Sequence, residues 1–177
     1  ARLTRALTER DPAKAAEMLE QIEAETQSAL EDLRDLARGI YPPLLADKGL
    51  EAALSAQARK SPVPVTVKAE GVGRFPQEVE AAVYFSTLEA LQNVAKYAEA
   101  SGATVAIQTD EGALRFSVTD DGHGFDPNST GYGTGLQGIA DRLGALEGTL
   151  DVTSAVGAGT SVTGRLPIPD RERIVTP

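Results

Sequence analysis

Apolar and polar positions change period several times along the chain, and each change predicts a new element. The first long pattern is Ala15, Leu19, Ile22, Thr26, Ala29, Leu33, Leu36 and Ile40, with spacings alternating between four and three. This a/d seam has a period of 3.5 residues, which suits a coiled coil or four-helix bundle better than a helix lying on a globular core. Glu17, Glu20, Glu23, Glu31, Asp32 and Asp35 occupy the other faces. The alternative is an ordinary amphipathic helix packed within one chain. Residues 1–7 read as the end of an earlier helix and are too short to cover the seam alone. Asp11 and Pro12 supply an N-cap and a first-turn proline. Gly39-Ile40-Tyr41-Pro42-Pro43 ends the helix and is the clearest domain boundary.

Beyond that boundary, residues 44–48 read as a connector and residues 49–60 as a helix. Residues 63–70 alternate like a strand. Residues 76–100 read as a second long helix whose apolar face is Val83, Tyr84, Leu91, Val94, Ala95 and Ala98. Residues 103–109 and 113–119 are two alternating strands meeting at Asp110-Glu111-Gly112. A helix over residues 136–146 buries Ile139, Leu143 and Leu146, and Gly148 stops it. Strands over residues 149–155 and 160–167 follow, and residues 169–177 carry no fold signal. The order β-α-β-β-loop-α-β-β predicts an α+β fold, a two-layer α/β sandwich with its helices on one face. The expected domains are a partial stem over residues 1–43, a globular domain over residues 44–168, and a tail over residues 169–177.

Composition narrows the chemistry. The chain has 177 residues and a net charge of −9, with no basic stripe, which argues against direct nucleic-acid binding. It has no cysteine, which excludes disulfides, thiol catalysis and cysteine-held zinc, and its single histidine, His123, leaves little material for histidine-based sites. No run of about 18 apolar residues is present. The chain starts at Ala1 within a helical pattern, so it reads as a fragment of a longer protein. An anchor in the parent is left open.

Chemistry concentrates in one stretch. Ten of the 17 glycines fall between Gly122 and Gly159. A glycine-rich loop opening a helix presents free N–H groups to a phosphate, so residues 120–138 read as a nucleotide pocket. The bland alternative is a flexible surface loop. Gly133-Thr134-Gly135-Leu136-Gln137-Gly138 matches a lone GxGxxG, but it lacks the preceding strand of a dinucleotide fold. The lysine and Ser/Thr of a Walker A loop are missing too. On the second helix, Glu89, Asn93 and Lys96 lie within roughly 60° at 100° per residue. Alone, such a stripe is usually just a solvated face.

Four elements now stand in order: Glu89-x-x-x-Asn93 on a helix, Asp120-x-Gly122-x-Gly124 after a strand, Gly133 to Gly138 opening a helix, and Gly157-Ala158-Gly159-Thr160 before the last strand. Together they closely resemble the ATP-binding (Bergerat, or GHKL) fold shared by sensor histidine kinases, DNA gyrase, MutL and heat-shock chaperone ATPases. Residues 33–45 followed by Gly49-Leu50 look like the stem exit of the nitrate/nitrite-sensor-like histidine kinases. The resemblance covers about residues 1–168. It implies a protein histidine kinase of a two-component system, here as a C-terminal, cytoplasmic portion. Its cofactors would be ATP and Mg2+. Its partners would be a second copy, through the helical dimerisation stem, and a response regulator of the kind with a helix-turn-helix output domain.

The resemblance also implies roles. Asp120 would accept from the adenine amino group, with Thr160 in support. Gly122 and Gly124 would let the backbone pass close to the base and the phosphates, and Phe125 would be a further nucleotide-binding residue. Asn93 would ligate Mg2+, with Glu89 either organising that site or acting as a base. Lys96 would offset phosphate charge, and Tyr97 stands where relatives often carry histidine. Gly133, Thr134, Gly135, Leu136 and Gly138 would form the lid hinge and phosphate-facing helix start, and residues 126–134 the ATP lid. The phosphoacceptor histidine of the first stem helix is missing. His123 lies inside the nucleotide loop and reads as incidental. An ATPase or anti-sigma-type serine kinase of the same fold would lack the heptad stem. A non-catalytic dimeric scaffold would be expected to have damaged motifs.

Overall fold

The computed structural model describes residues 41–69, 72–110, 112–127 and 133–168. The chain divides into two units, Ala1–Tyr41 and Pro42–Pro177, and every described element belongs to the second. The expected heptad stem, lid residues 128–132 and the tail lie outside the described residues.

The proline pair Pro42-Pro43 starts a helix. Pro43 sits in the first turn of α1 (Pro43–Ala58), where its missing N–H costs nothing. Residues 44–48, expected as a connector, are therefore helical. The break comes at Gly49, whose φ of +77° and ψ of −173° interrupt α1 and turn Leu50, Ala53 and Leu54 into the core. Strand β1 (Val65–Lys68) follows, shorter than its alternation suggests.

Helix α2 (Gln77–Asn93) continues into a single π turn, Val94–Ala98. Strands β2 (Ala103–Asp110) and β3 (Ala113–Asp120) form the expected hairpin. Helix α3 (Thr134–Gly144) precedes a second hairpin, β4 (Thr149–Ser154) and β5 (Thr160–Pro167). The sheet order is β1-β2-β3-β5-β4, parallel only between β1 and β2. Helix α1 lies against β1, α2 against β3 and β5, and α3 against β4 and β5. The opposite face keeps Thr66, Gln108, Arg115 and Arg165 in solvent. This is the expected two-layer sandwich.

The core is built from strand alternation. Val105 and Ile107 of β2, Leu114, Phe116 and Val118 of β3, and Val162 and Leu166 of β5 are all buried. Gly164 faces the same way on β5, and a Cβ there would collide with the Phe116 ring. Its lack of a side chain lets the largest fully buried side chain seat.

An ion pair between half-exposed Arg74 and buried Glu80 ties α1 to α2. The Glu80 carboxylate is fully buried and receives Arg74 Nε at 2.8 Å, Arg74 Nη2 at 3.1 Å and the Phe75 N–H at 3.0 Å. Arg74 Nη2 also reaches the carbonyl of Ala46 at 3.0 Å. No helix among the described residues is long and apolar enough to cross a membrane.

Candidate nucleotide site

The inward faces of three strands end in polar residues at one end of the sheet. On β3 the buried series Leu114, Phe116, Val118 reaches Asp120, which is only 8% exposed. On β5 the series Leu166, Gly164, Val162 starts from Thr160. On β4, Leu150 and Val152 lead to Ser154, which pairs with Thr160 across the ladder. Because Thr119 pairs with Ser161, Asp120 stands next in that row. A carboxylate removed from water needs donors. Asp120 Oδ1 accepts from the Gly122 N–H at 2.9 Å and the Thr160 N–H at 3.3 Å. Among the described residues nothing donates to Oδ2.

The Asp120-x-Gly122-x-Gly124 loop is held from both sides. A Cβ at Gly122 would strike the Ala98 carbonyl, and one at Gly124, where φ is +59°, would strike the Ala155 carbonyl. Between them, His123 donates its backbone N–H to Ala98 O at 2.9 Å, and its Nδ1 lies 3.0 Å from the same oxygen. A carbonyl only accepts, so Nδ1 carries the proton. The His123 carbonyl accepts from Gly157 N at 2.6 Å. Asp121 points outward and accepts from the Ser101 hydroxyl, from Gly102 N at 3.0 Å and from Ser101 N at 2.8 Å. Those donors, the Ser101 hydroxyl first, hold its carboxyl below the ordinary 3.8.

A second group of expected residues meets where α2 runs under the start of α3. A Cβ at Gly135 would collide with Glu89 Oε1 and stand 3.5 Å from Asn93 Nδ2. Gly135 thus allows the helix start to sit on the Glu89 and Asn93 side chains. Gly133 is the N-cap of α3 and no side chain caps it. The first N–H of this turn with a backbone acceptor is that of Gln137, to Gly133 O at 3.0 Å. Among the described residues the N–H groups of Thr134, Gly135 and Leu136 have none. Thr134 is exposed, and a Cβ at Gly133 or Gly138 would meet nothing within 4 Å. Leu136 is buried with Ile139 and Leu143, so this position offers a ligand its backbone rather than its side chain.

Some of the expected arrangement needs correction. The helical line Glu89–Asn93–Lys96 assumes one α-helix to residue 100. The π turn after Asn93 has a wider repeat and changes the phase. Lys96 and Tyr97 are exposed, Tyr97 at 60%. Ala95, expected in the core, is exposed for the same reason, and Ala98 is half-buried. Leu146, also expected in the core, is half-buried because α3 ends at Gly144.

Ser154 is a participant that the sequence motifs do not include. Its Oγ accepts from Phe125 N at 2.9 Å, donates to Gly159 O at 3.1 Å and lies 2.9 Å from Thr160 Oγ1. It joins the loop after β3, half-buried Phe125 included, to the β4–β5 turn. Its inward parity behind Leu150 and Val152 is the available signal.

Comparison with known proteins agrees with this fold. Residues 78–170 match the family described as histidine kinase-, DNA gyrase B-, and HSP90-like ATPase, and residues 1–45 match a family described as histidine kinase. The chain is 32% identical over 159 residues to the oxygen sensor histidine kinase NreB of Staphylococcus carnosus, covering 85% of this chain and 45% of that protein. It is 32% identical over 148 residues to the sensor histidine kinase MctS of Rhizobium johnstonii, covering 78% of this chain and 32% of that protein. The chain thus spans less than half the length of these relatives. The blue-light activated histidine kinase of Erythrobacter litoralis shares the fold, with a TM-score of 0.59 and 24% identity over 69% of this chain and 42% of that one. The chain belongs to the histidine kinase-, DNA gyrase B- and HSP90-like ATPase family.

Proposed function

We propose that the unit holds ATP with its base against Asp120 and its phosphates at the start of α3, for transfer of the γ-phosphoryl to a histidine and then to a response-regulator aspartate. The observation that supports this most is the state of Asp120. Two backbone N–H groups fix Oδ1 and leave Oδ2 as an oriented acceptor. An acceptor there suits the adenine amino group and opposes the carbonyl of guanine. Residues 1–43 are read as part of a stem through which two copies pair, and residues 44–168 as the catalytic domain. A response regulator with a helix-turn-helix output domain is the expected receiver.

At the phosphate end, the uncapped N–H groups of Thr134, Gly135 and Leu136 suit anionic oxygens. The Glu89 carboxylate and the Asn93 side-chain amide lie at the same place, beneath Gly135, and each carries a hard oxygen. No cluster of three or more His, Cys, Asp or Glu side chains suited to a metal occurs among the described residues. One or two protein oxygens, completed by phosphates and water, are what Mg2+ ordinarily takes. When bound, Mg2+ would supply charge compensation for phosphoryl transfer. Glu89 is assigned the role of ordering this junction, and Lys96 that of a flexible counter-charge reaching in from the exposed π turn. Such catalysis is mostly positioning plus charge stabilisation, and loops that close over ATP exclude water.

The test is calorimetric titration of ATP with and without Mg2+. The wild-type chain is expected to bind more tightly with Mg2+, and Asn93→Ala to lose that difference. Equal Mg2+ dependence in the two proteins would remove the Asn93 assignment. Incubated alone with γ-labelled ATP, the chain is expected to gain no acid-labile phosphohistidine, because its one histidine is His123. Label on His123 would contradict that.

A further inference from the structure

Ser154 contributes no atom to the proposed nucleotide contacts, yet its hydroxyl fixes the proton of one that does. A hydroxyl has one hydrogen and two acceptor sites. Ser154 Oγ lies 3.1 Å from Gly159 O, and a carbonyl only accepts, so the Ser154 hydrogen goes there. The Phe125 N–H, 2.9 Å away, fills one acceptor site. Thr160 Oγ1, at 2.9 Å, fills the other and must be the donor. The Thr160 hydrogen is therefore directed at Ser154, and Thr160 Oγ1 offers only lone pairs to anything else. Thr160 N is 3.3 Å from Asp120 Oδ1, so that hydroxyl stands one side chain away from the carboxylate. Two neighbouring acceptors without a donor match an exocyclic amino group and oppose a carbonyl.

We propose that Ser154 is a positioning residue that sets base selectivity. By holding the Thr160 proton, it makes the base end of the pocket an acceptor-only surface that takes a 6-aminopurine nucleotide and rejects a 6-oxopurine one. This rests on the reading that the base lies against Asp120. Removing the Ser154 hydroxyl frees the Thr160 hydrogen, which can then turn to a 6-oxo group.

The test compares ADP with inosine diphosphate, whose base has an oxo group at position 6 and a hydrogen on N1 where adenine has an amino group and a bare N1. Affinities are measured calorimetrically on the 177-residue chain, with thermal unfolding of each variant. Wild type is expected to prefer ADP. Ser154→Ala is expected to narrow the ADP-to-IDP ratio about tenfold, with IDP binding tightened in absolute terms. Ser154→Thr, which restores a hydroxyl, keeps the wild-type ratio. Thr160→Val weakens ADP without tightening IDP, and adding Ser154→Ala to it leaves the ratio unchanged. If Ser154→Ala scales both affinities equally, Ser154 is only a structural strut and the proposal is wrong. If Ser154→Ala fails to fold, Thr160→Val decides, and a wild-type ratio there overturns the proposal. A wild-type chain that binds ADP and IDP alike overturns the base assignment itself, and this inference with it. That failure shows in the unmutated protein and is distinct from the others.

Discussion

At the end of β3 a carboxylate occupies a position that strand alternation assigns to the core. Asp120 continues the series Leu114, Phe116, Val118, and its burial is offset by two N–H donors on one oxygen. Among the described residues the other oxygen accepts no hydrogen bond. The next residue, Asp121, has a different role, because the same alternation turns it outward onto Ser101 and Gly102. Its folded pKa is depressed, so what it adds to stability is present above the unfolded value of 3.8 and is lost as pH falls through the lower folded value. Carboxyl NMR titration is expected to place its midpoint below 3.8 in the folded chain. A midpoint at or above 3.8 would contradict the hydrogen bonds described. Gly135 gives a second residue-scale prediction. A methyl there displaces the Glu89 carboxylate, the movable end of a side chain. Gly135→Ala is therefore expected to weaken ATP binding roughly tenfold while thermal stability changes little, a combination seen by calorimetry and thermal unfolding.

Elements are legible in the sequence where their period is long and unbroken. The alternation in β2, β3 and β5 predicts both the strands and the face carrying Val105, Phe116 and Val162. The same parity count accounts for Asp120 and Thr160, but Ser154 escapes notice because a serine at a strand end reads as turn chemistry. The connector over residues 44–48 misleads because the proline pair reads as a helix stop, whereas Pro43 opens α1 and Leu45 is buried. The π turn is not legible. Val94 to Ala98 continues a good helical composition, and the wider turn coincides with tertiary contacts from His123 and Gly122 to the Ala98 carbonyl and side chain. The Arg74–Glu80 pair is also hidden, since a glutamate in the first turn of a helix usually faces water. Its burial makes a sharp prediction. Arg74→Ala leaves a buried carboxylate short of donors and is expected to cost about 2–3 kcal/mol by denaturant unfolding. A cost near zero would mean that the carboxylate is not held as described. Gly164→Ala should cost about 1–3 kcal/mol by the same measurement, because the added methyl meets the Phe116 ring rather than a flexible end.

Across the whole unit, a sheet is covered by helices on one face, and two separate groups of residues are proposed to make one nucleotide site. Asp120, Ser154 and Thr160 close the sheet end, while Glu89, Asn93 and Gly135 meet where α2 passes under α3. The net charge of −9 makes phosphate binding depend on local donors rather than on a general positive field. The uncapped start of α3 and the proposed Mg2+ supply them. Nucleotide selectivity then rests on the base end, and above all on one carboxylate oxygen. The most direct measurement is calorimetric titration of ADP into wild type and Asp120→Asn, with circular dichroism to confirm that both are folded. The isosteric amide can still accept the Gly122 and Thr160 N–H groups through its oxygen, but it turns an NH2 toward the adenine amino group. Asp120→Asn is expected to stay folded and to bind ADP at least about a hundredfold more weakly. A folded Asp120→Asn chain that binds ADP as wild type does would contradict the assignment of this site.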